Sequence, residues 1–177
     1  MNKQPTYNQI FEKDNLLAAW QRVKSNASAG GVDLVSVDDF ERDLVVRLNE
    51  IGRELETETY NPNPYQSIEI PKNENEKRQI GLLTIKDKIV QGAVKQIIEP
   101  AFEKLFFDVS YAYRPNKSAE KAIRRTQHLI QSERRRWVVI LDIDNFFDTI
   151  PLNPLFDKVK SLIDESKIVN LSIFFII

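Results

Sequence analysis

The chain has 177 residues, 42% hydrophobic and 29% charged, which suits one domain with a buried core and excludes a disordered chain. Twenty-five Lys and Arg against 26 Asp and Glu give a net charge of −1, excluding a histone-like or polybasic membrane-surface protein. With no cysteine and one histidine, His128, there is no disulfide, thiol nucleophile or Cys/His metal cluster.

The start, MNKQPTYNQIFEKDN, carries no apolar run of signal-peptide type, and no stretch reaches the roughly 20 apolar residues of a membrane span. The expectation is no membrane contact and a reducing cytoplasm. Asp14 reads as the N-cap of a helix to Ser25, with Leu16, Leu17, Trp20 and Val23 near helical spacing. The small-residue loop NASAGGVD follows, where Gly30 and Gly31 permit positive φ. Ser36 reads as the cap of a single second helix, with Asp38, Asp39 and Glu41 favouring its dipole and Phe40, Leu44, Val45, Leu48, Ile51 and Leu55 forming one stripe.

Pro62 and Pro64 stop helix formation. Gln66–Pro71 and Lys77–Leu82 flank the polar turn NENE as a hairpin. Residues 84–98 keep a 3.6-residue apolar period, and Pro100 ends or kinks that helix. Ser118 caps a further helix whose face carries Ala119, Ala122, Ile123, Thr126 and Ile130. The β-branched run from Val138 to Leu141 suits a central strand covered on both faces, and another helix begins near Asn153 or Pro154. The fold class is α+β, with a helical, hairpin-bearing front leading into a first sheet strand.

Charge is segregated along the chain. From Val37 to Tyr60 there are eight acidic and three basic residues; from Tyr111 to Arg136 there are eight basic and two acidic. A local basic face suits a phosphate backbone; the alternative is a solvated helix flank whose arginines pair with the acidic helix. The tail IVNLSIFFII has eight apolar residues in ten. It either closes a small core or packs on chain outside this sequence, and the second is the expectation, with self-association as its consequence.

Two constellations can carry chemistry. Asp142, just past the apolar run, can hold a divalent cation; the alternative is a helix cap or a solvated strand end. Alternation puts Asp142 and Asp144 on one face, and the Phe146–Phe147 pair offers an aromatic wall for a sugar or base. Lys72 and Arg78 flank the hairpin turn and can converge on one anion, a point charge beside a planar fork; two cations on an exposed hairpin are also ordinary. No P-loop, GxGxxG or nucleophile elbow occurs, and His128 reads as structural.

In order and spacing, SNASAGGVDLVSVDDFE, YNPNPYQSIEIPKNENEKRQIGLLTIKDKIVQGAVKQIIEPAFEKLF, SYAYRPNKSAEKAI and VVILDIDNFFDTI resemble the front part of a group II intron-type bacterial reverse transcriptase, over roughly residues 25 to 165. The resemblance implies an N-terminal extension with a template-clasping loop (1–35), fingers (36–135) and the first strand and helix of an incomplete palm (136–177). It implies that Lys72 and Arg78 grip the triphosphate of the incoming nucleotide. Asp142 and the Ile143 carbonyl would bind magnesium, two ions being used by the full-length enzyme, with Asp142 catalytic. Phe147 would stand against the sugar, and Tyr113 and Arg114 would lie near template and nucleotide. Asn26, Gly30 and Gly31 would clasp template RNA, joined by the basic Arg124 and Arg125.

The implied partners are template RNA, RNA/DNA hybrid, dNTP and a cognate structured RNA, in a bacterial cytoplasm. Asp144 and Asn145 depart from the family's usual non-acidic residue followed by Gly. No aromatic-X-Asp-Asp turn follows Asp148; the one Asp-Asp pair is Asp38–Asp39. Two-metal chemistry holds its ions about 3.5–4 Å apart with several carboxylates. The expectation is therefore a truncated RNA-directed DNA polymerase that binds metal at most weakly and does not polymerise alone. The alternatives are a non-catalytic RNA- or protein-binding module, or a relic.

Overall fold

The computed structural model describes residues 4–71, 74, 77–144 and 146–175, with the side chains of Phe147 and Asp148 outside that description. In chain order the elements are α1 (Tyr7–Ile10), α2 (Lys13–Ser25), α3 (Val37–Arg42), α4 (Leu44–Glu56), β1 (Gln66–Pro71), β2 (Lys77–Leu82), α5 (Ile85–Glu103), α6 (Ala119–Gln131), α7 (Phe146–Thr149), α8 (Leu152–Leu162) and α9 (Ser166–Ile173). No helix among the described residues is long and apolar enough to cross a membrane.

The core is built on the crossing of α2 and α5, the most extensive helix pair. Leu16, Ala19, Trp20 and Val23 meet Ile85, Ile89, Val90, Ala93 and Val94, all buried. The helices approach closely at Gly92, where an added Cβ would lie 3.4 Å from the Ala19 Cβ. Leu48, Ile51 and Leu55 of α4 close one side, and Trp20 stacks on Phe40 of α3 with centroids 5.1 Å apart. Each fully buried aliphatic or aromatic side chain contributes about 1.5–3 kcal/mol by leaving water.

Several local expectations are corrected. α2 starts at Lys13 with Glu12 at the N-cap, so Asp14 lies in the first turn and favours the dipole there. Ser36 does cap a helix, accepting from the Asp39 N–H at 3.1 Å, but the helix stops at Asp43 and a new one starts at Leu44. Aspartate is a poor interior residue because it competes with the backbone for hydrogen bonds. Val45, expected on the stripe, is exposed. α5 runs through Pro100 to Glu103, since its last turn is held by Phe102 packing on the core and Glu103 pairing with Arg114.

The tail overturns its expectation. In α9, Ile168, Val169 and Leu171 are buried in the same core, which α9 reaches by lying against α5. Glu165 accepts from the Tyr7 N–H at 2.7 Å, and Lys167 pairs with Glu58. Among the described apolar residues of the tail only Phe174 is exposed, so the described part of the surface expected to drive self-association lies mostly inside.

The expected central strand is also corrected. Residues 137–141 form no strand, and Trp137, Val138, Val139, Ile140 and Leu141 are 66–91% exposed. A strand covered on both faces needs neighbouring strands, and among the described residues β1 and β2 pair only with each other. The observed fold is a helical body with one antiparallel ribbon, and no palm sheet is present among the described residues. α6 likewise has no buried residue, leaving Ile123 and Ile130 exposed.

Candidate functional site

The ribbon forms over the expected residues, with Ile68 opposite Ile80, Ile70 opposite Arg78 and Pro71 opposite Lys77. Period-two alternation puts Arg78 on the same face as Ile68, Ile70 and Ile80, and its side chain is exposed. Lys77, on the other face, is taken by Glu69 at 3.1 Å. Lys72 lies outside the described residues.

The root of the ribbon is tied to the start of α5. Thr84 is the N-cap and accepts from the Asp87 N–H at 3.1 Å, while its own hydroxyl donates to Asp87 Oδ2 at 2.6 Å. The Tyr60 hydroxyl donates to Asp87 Oδ1 at 2.6 Å, and the Asn63 backbone N–H and side-chain amide donate to Oδ2 at 3.1 and 3.2 Å. Burial first, and the bond to Asp87 second, push the Tyr60 phenol far up, so it stays a donor. Sequence reasoning missed this knot, although Thr84-x-x-Asp87 is a capping pattern visible in the chain.

The loop 26–35 is docked on the same root. Neither Gly30 nor Gly31 takes positive φ; the left-handed positions are Ala27 and Leu34. The glycines serve close approach instead. A Cβ on Gly31 would lie 2.6 Å from the Thr84 nitrogen, and one on Gly30 would lie 2.6 Å from the Val35 oxygen. Lys88 donates to the Ala29 carbonyl at 2.5 Å, and burial lowers its pKa. Asn26 is the exposed C-cap of α2.

Arg114 is consumed within the chain. Its Nε and Nη2 donate to Glu103, and Nη1 donates to the Phe107 and Ser110 carbonyls at 2.7 and 2.9 Å. The guanidinium also lies 5.1 Å from the Phe106 ring centroid. The hydrogen bond between them lowers the Glu103 pKa and raises that of Arg114. The turn so held places Tyr113 at φ 57, with its side chain 94% exposed. Beside it lies an open groove of about 670 Å³ that also reaches Arg22 of α2 and Lys95 of α5. Those two cations carry no sequence signal, because a solvent-facing Lys or Arg on a helix is ordinary.

The basic stretch does not pair with the acidic helix. Arg124 bonds Glu120 at 2.5 Å, and Arg125 lies 3.5 Å from Glu133, so its ion pairs are local. Asp142 is exposed and accepts from the Ile143 N–H at 3.1 Å. Ile143 is also exposed. Phe147 belongs to α7, and its side chain is not described. Among the described residues Arg78, Arg114, Arg124, Arg125 and Asp142 make no hydrogen bond or ion pair with one another, and no cluster of three metal-ligating side chains forms. Asp142 and the Ile143 carbonyl are hard oxygen donors of the type Mg²⁺ takes, but by themselves they do not make a two-ion site.

The profile of the family described as reverse transcriptase (RNA-dependent DNA polymerase) matches residues 70–174, and the chain belongs to that family. Among its relatives, protein YkfC of Escherichia coli (strain K12) is 32% identical over 148 residues, covering 82% of this chain and 39% of the relative. The group II intron-encoded protein LtrA of Lactococcus lactis subsp. cremoris is 30% identical over 164 residues, 91% of this chain and 26% of LtrA. A putative COX1/OXI3 intron 2 protein of Saccharomyces cerevisiae is 26% identical over 158 residues, 88% and 18%. Two of these three relatives are intron proteins by name, and this chain spans less than two fifths of each of the three.

Proposed function

We propose that this chain is the template- and nucleotide-facing part of an RNA-directed DNA polymerase, and that by itself it binds rather than polymerises. In this reading residues 1–35 are the template-clasping extension, 36–135 the fingers and 136–177 the start of the palm. Lys72 and Arg78 hold the triphosphate. Tyr113, Asn26, Arg124 and Arg125 meet template RNA or RNA/DNA hybrid, and Gly30 and Gly31 give the extension loop its shape. Arg114 acts at one remove, by shaping the turn that exposes Tyr113. Phe147 meets the sugar.

The observation that carries the reading is the family match from residue 70 through β2, α5, the Tyr111–Pro115 turn and Asp142, together with an Arg78 left exposed on the ribbon. Magnesium belongs to the family's chemistry, but the described residues do not assemble its site. Asp142 with Ile143 is proposed only as one side of such a site. A cytoplasmic location belongs to the same proposal.

The test is equilibrium binding of magnesium dATP and of a single-stranded RNA to the purified chain, alongside a primer-extension assay. Binding lost in Arg78→Ala for the nucleotide, with no extension, is the expected result. Nucleotide affinity indifferent to Arg78 would reject the triphosphate role, and magnesium-dependent extension would reject the binding-only role. The second reading, a non-catalytic RNA-binding module, draws on the exposed basic α6 and predicts RNA affinity with no nucleotide affinity.

A further inference from the structure

We propose that Asp87 is a positioning residue: one buried carboxylate that clamps both roots of the ribbon and so sets the angle at which β1, β2 and Arg78 stand on α5. Asp87 is fully buried. It receives Tyr60, Asn63 and Thr84 as donors at 2.6–3.2 Å. Asn63 precedes β1 and Thr84 follows β2, so one side chain joins the chain entering the ribbon to the chain leaving it.

The ribbon needs such a joint. A two-stranded hairpin alone is marginal in water, and neither strand makes extensive contact with any helix. Its orientation is therefore set where it is rooted. The neighbouring Lys86 is spent on Glu54 at 2.6 Å, which leaves the carboxylate to neutral donors. Gly31 braces the other side, packed against Leu83 and Thr84. Asparagine at position 87 keeps nearly the same shape, but with its oxygen toward Asn63 and Thr84 its NH₂ meets the Tyr60 hydroxyl, which must then accept instead of donate, and the negative charge that all four donors face is lost.

The consequence for nucleotide binding rests on the reading that Arg78 grips a triphosphate; the clamp itself does not. Because the chain contains no native cysteine, spin labels can be placed at Gln79→Cys on β2 and Lys95→Cys on α5. A control pair at Glu50→Cys and Lys95→Cys reports the helical body. The wild-type background is expected to give one narrow distance for each pair. Asp87→Asn is expected to lose the narrow ribbon distance and keep the control distance, which a general loss of stability would not do. Magnesium dATP binding is expected to weaken by roughly tenfold, because Arg78 is then held in the binding orientation for only a fraction of the time.

An unchanged ribbon distance in Asp87→Asn overturns the clamp, as does equal broadening of both pairs. If Asp87→Asn does not fold, Tyr60→Phe removes one donor and keeps the carboxylate. Selective broadening of the ribbon then supports the clamp, and none overturns it. A broadened ribbon combined with dATP affinity indifferent to Arg78→Ala upholds the clamp and rejects the triphosphate reading.

Discussion

Gly31 lies against Thr84 so closely that a Cβ on the glycine would stand 2.6 Å from the Thr84 backbone nitrogen. The extension loop is thereby seated on the junction between β2 and α5, and the glycine is needed for space rather than for an unusual φ. Gly31→Ala is expected to destabilise the chain by about 1–3 kcal/mol, the usual cost of forcing backbone apart in a packed site. Gly52 of α4 is the contrast, since its added Cβ would meet only ordinary contacts at 3.7 Å or more. Gly52→Ala is expected to stabilise by about 0.5–1 kcal/mol through helix propensity. Urea unfolding of both variants checks the pair.

The tail is a core element, and its energetics follow from that. Ile168 is 0% exposed, so Ile168→Ala is expected to cost about 2–5 kcal/mol. The exposed Asn170 in the same helix is expected to tolerate alanine within about 0.5 kcal/mol. If the tail instead packed outward, the two substitutions would cost the same in a denaturant titration.

Acid should loosen the 104–117 loop before the helical body. Arg114 holds the Glu103 carboxyl below its ordinary value of 4.5. The unfolded chain therefore takes up that proton more readily than the folded one. The pair's contribution is complete above pH 4.5 and is lost as pH falls through the lowered folded value. Hydrogen-exchange protection in this loop, taken relative to the intrinsic exchange rate at each pH, is expected to fall in the wild type as pH is lowered. Glu103→Gln should show fast exchange already at neutral pH and little further change.

If α6 meets RNA, its arginines report it through salt. Each phosphate contact removed lowers the slope of log affinity against log salt by about 0.7 for a single strand. Arg124→Ala and Arg125→Ala are each expected to lower the slope by about that amount. Glu120→Gln, which frees Arg124 from its partner, is expected to move affinity the other way. A slope indifferent to all three changes would remove α6 from the RNA interface.

Much of the local structure was legible from short-range chemistry. Ser36, Thr84 and Ser118 stand just before helices, and the extended runs on either side of NENE set the ribbon's limits. Those signals depend on neighbours a few residues away. The errors arose where distant chain decides. Val138–Leu141 has the composition of a buried strand, but pairing partners determine whether such a run becomes one, and among the described residues there are none.

For the candidate site the division is similar. The residues near Arg78, Tyr113 and Asp142 were found from motif order, but the internal capture of Arg114 by Glu103 was not, because the pair is eleven residues apart and meets only when α5 runs past Pro100. The Asp87 knot was missed although half of its signal was local. Tyr60 and Asn63 reach it only because the chain folds back across the N-terminus of α5.

By itself the sequence determined helix caps, apolar periods, the ribbon and the motif order that marks the family, since each is written in contiguous residues. The tertiary structure alone decided that the tail is core, that the loop glycines are spacers and that one carboxylate roots the ribbon. Burial and hydrogen-bond partnership are relations between distant segments, and they exist only once the chain has closed on itself.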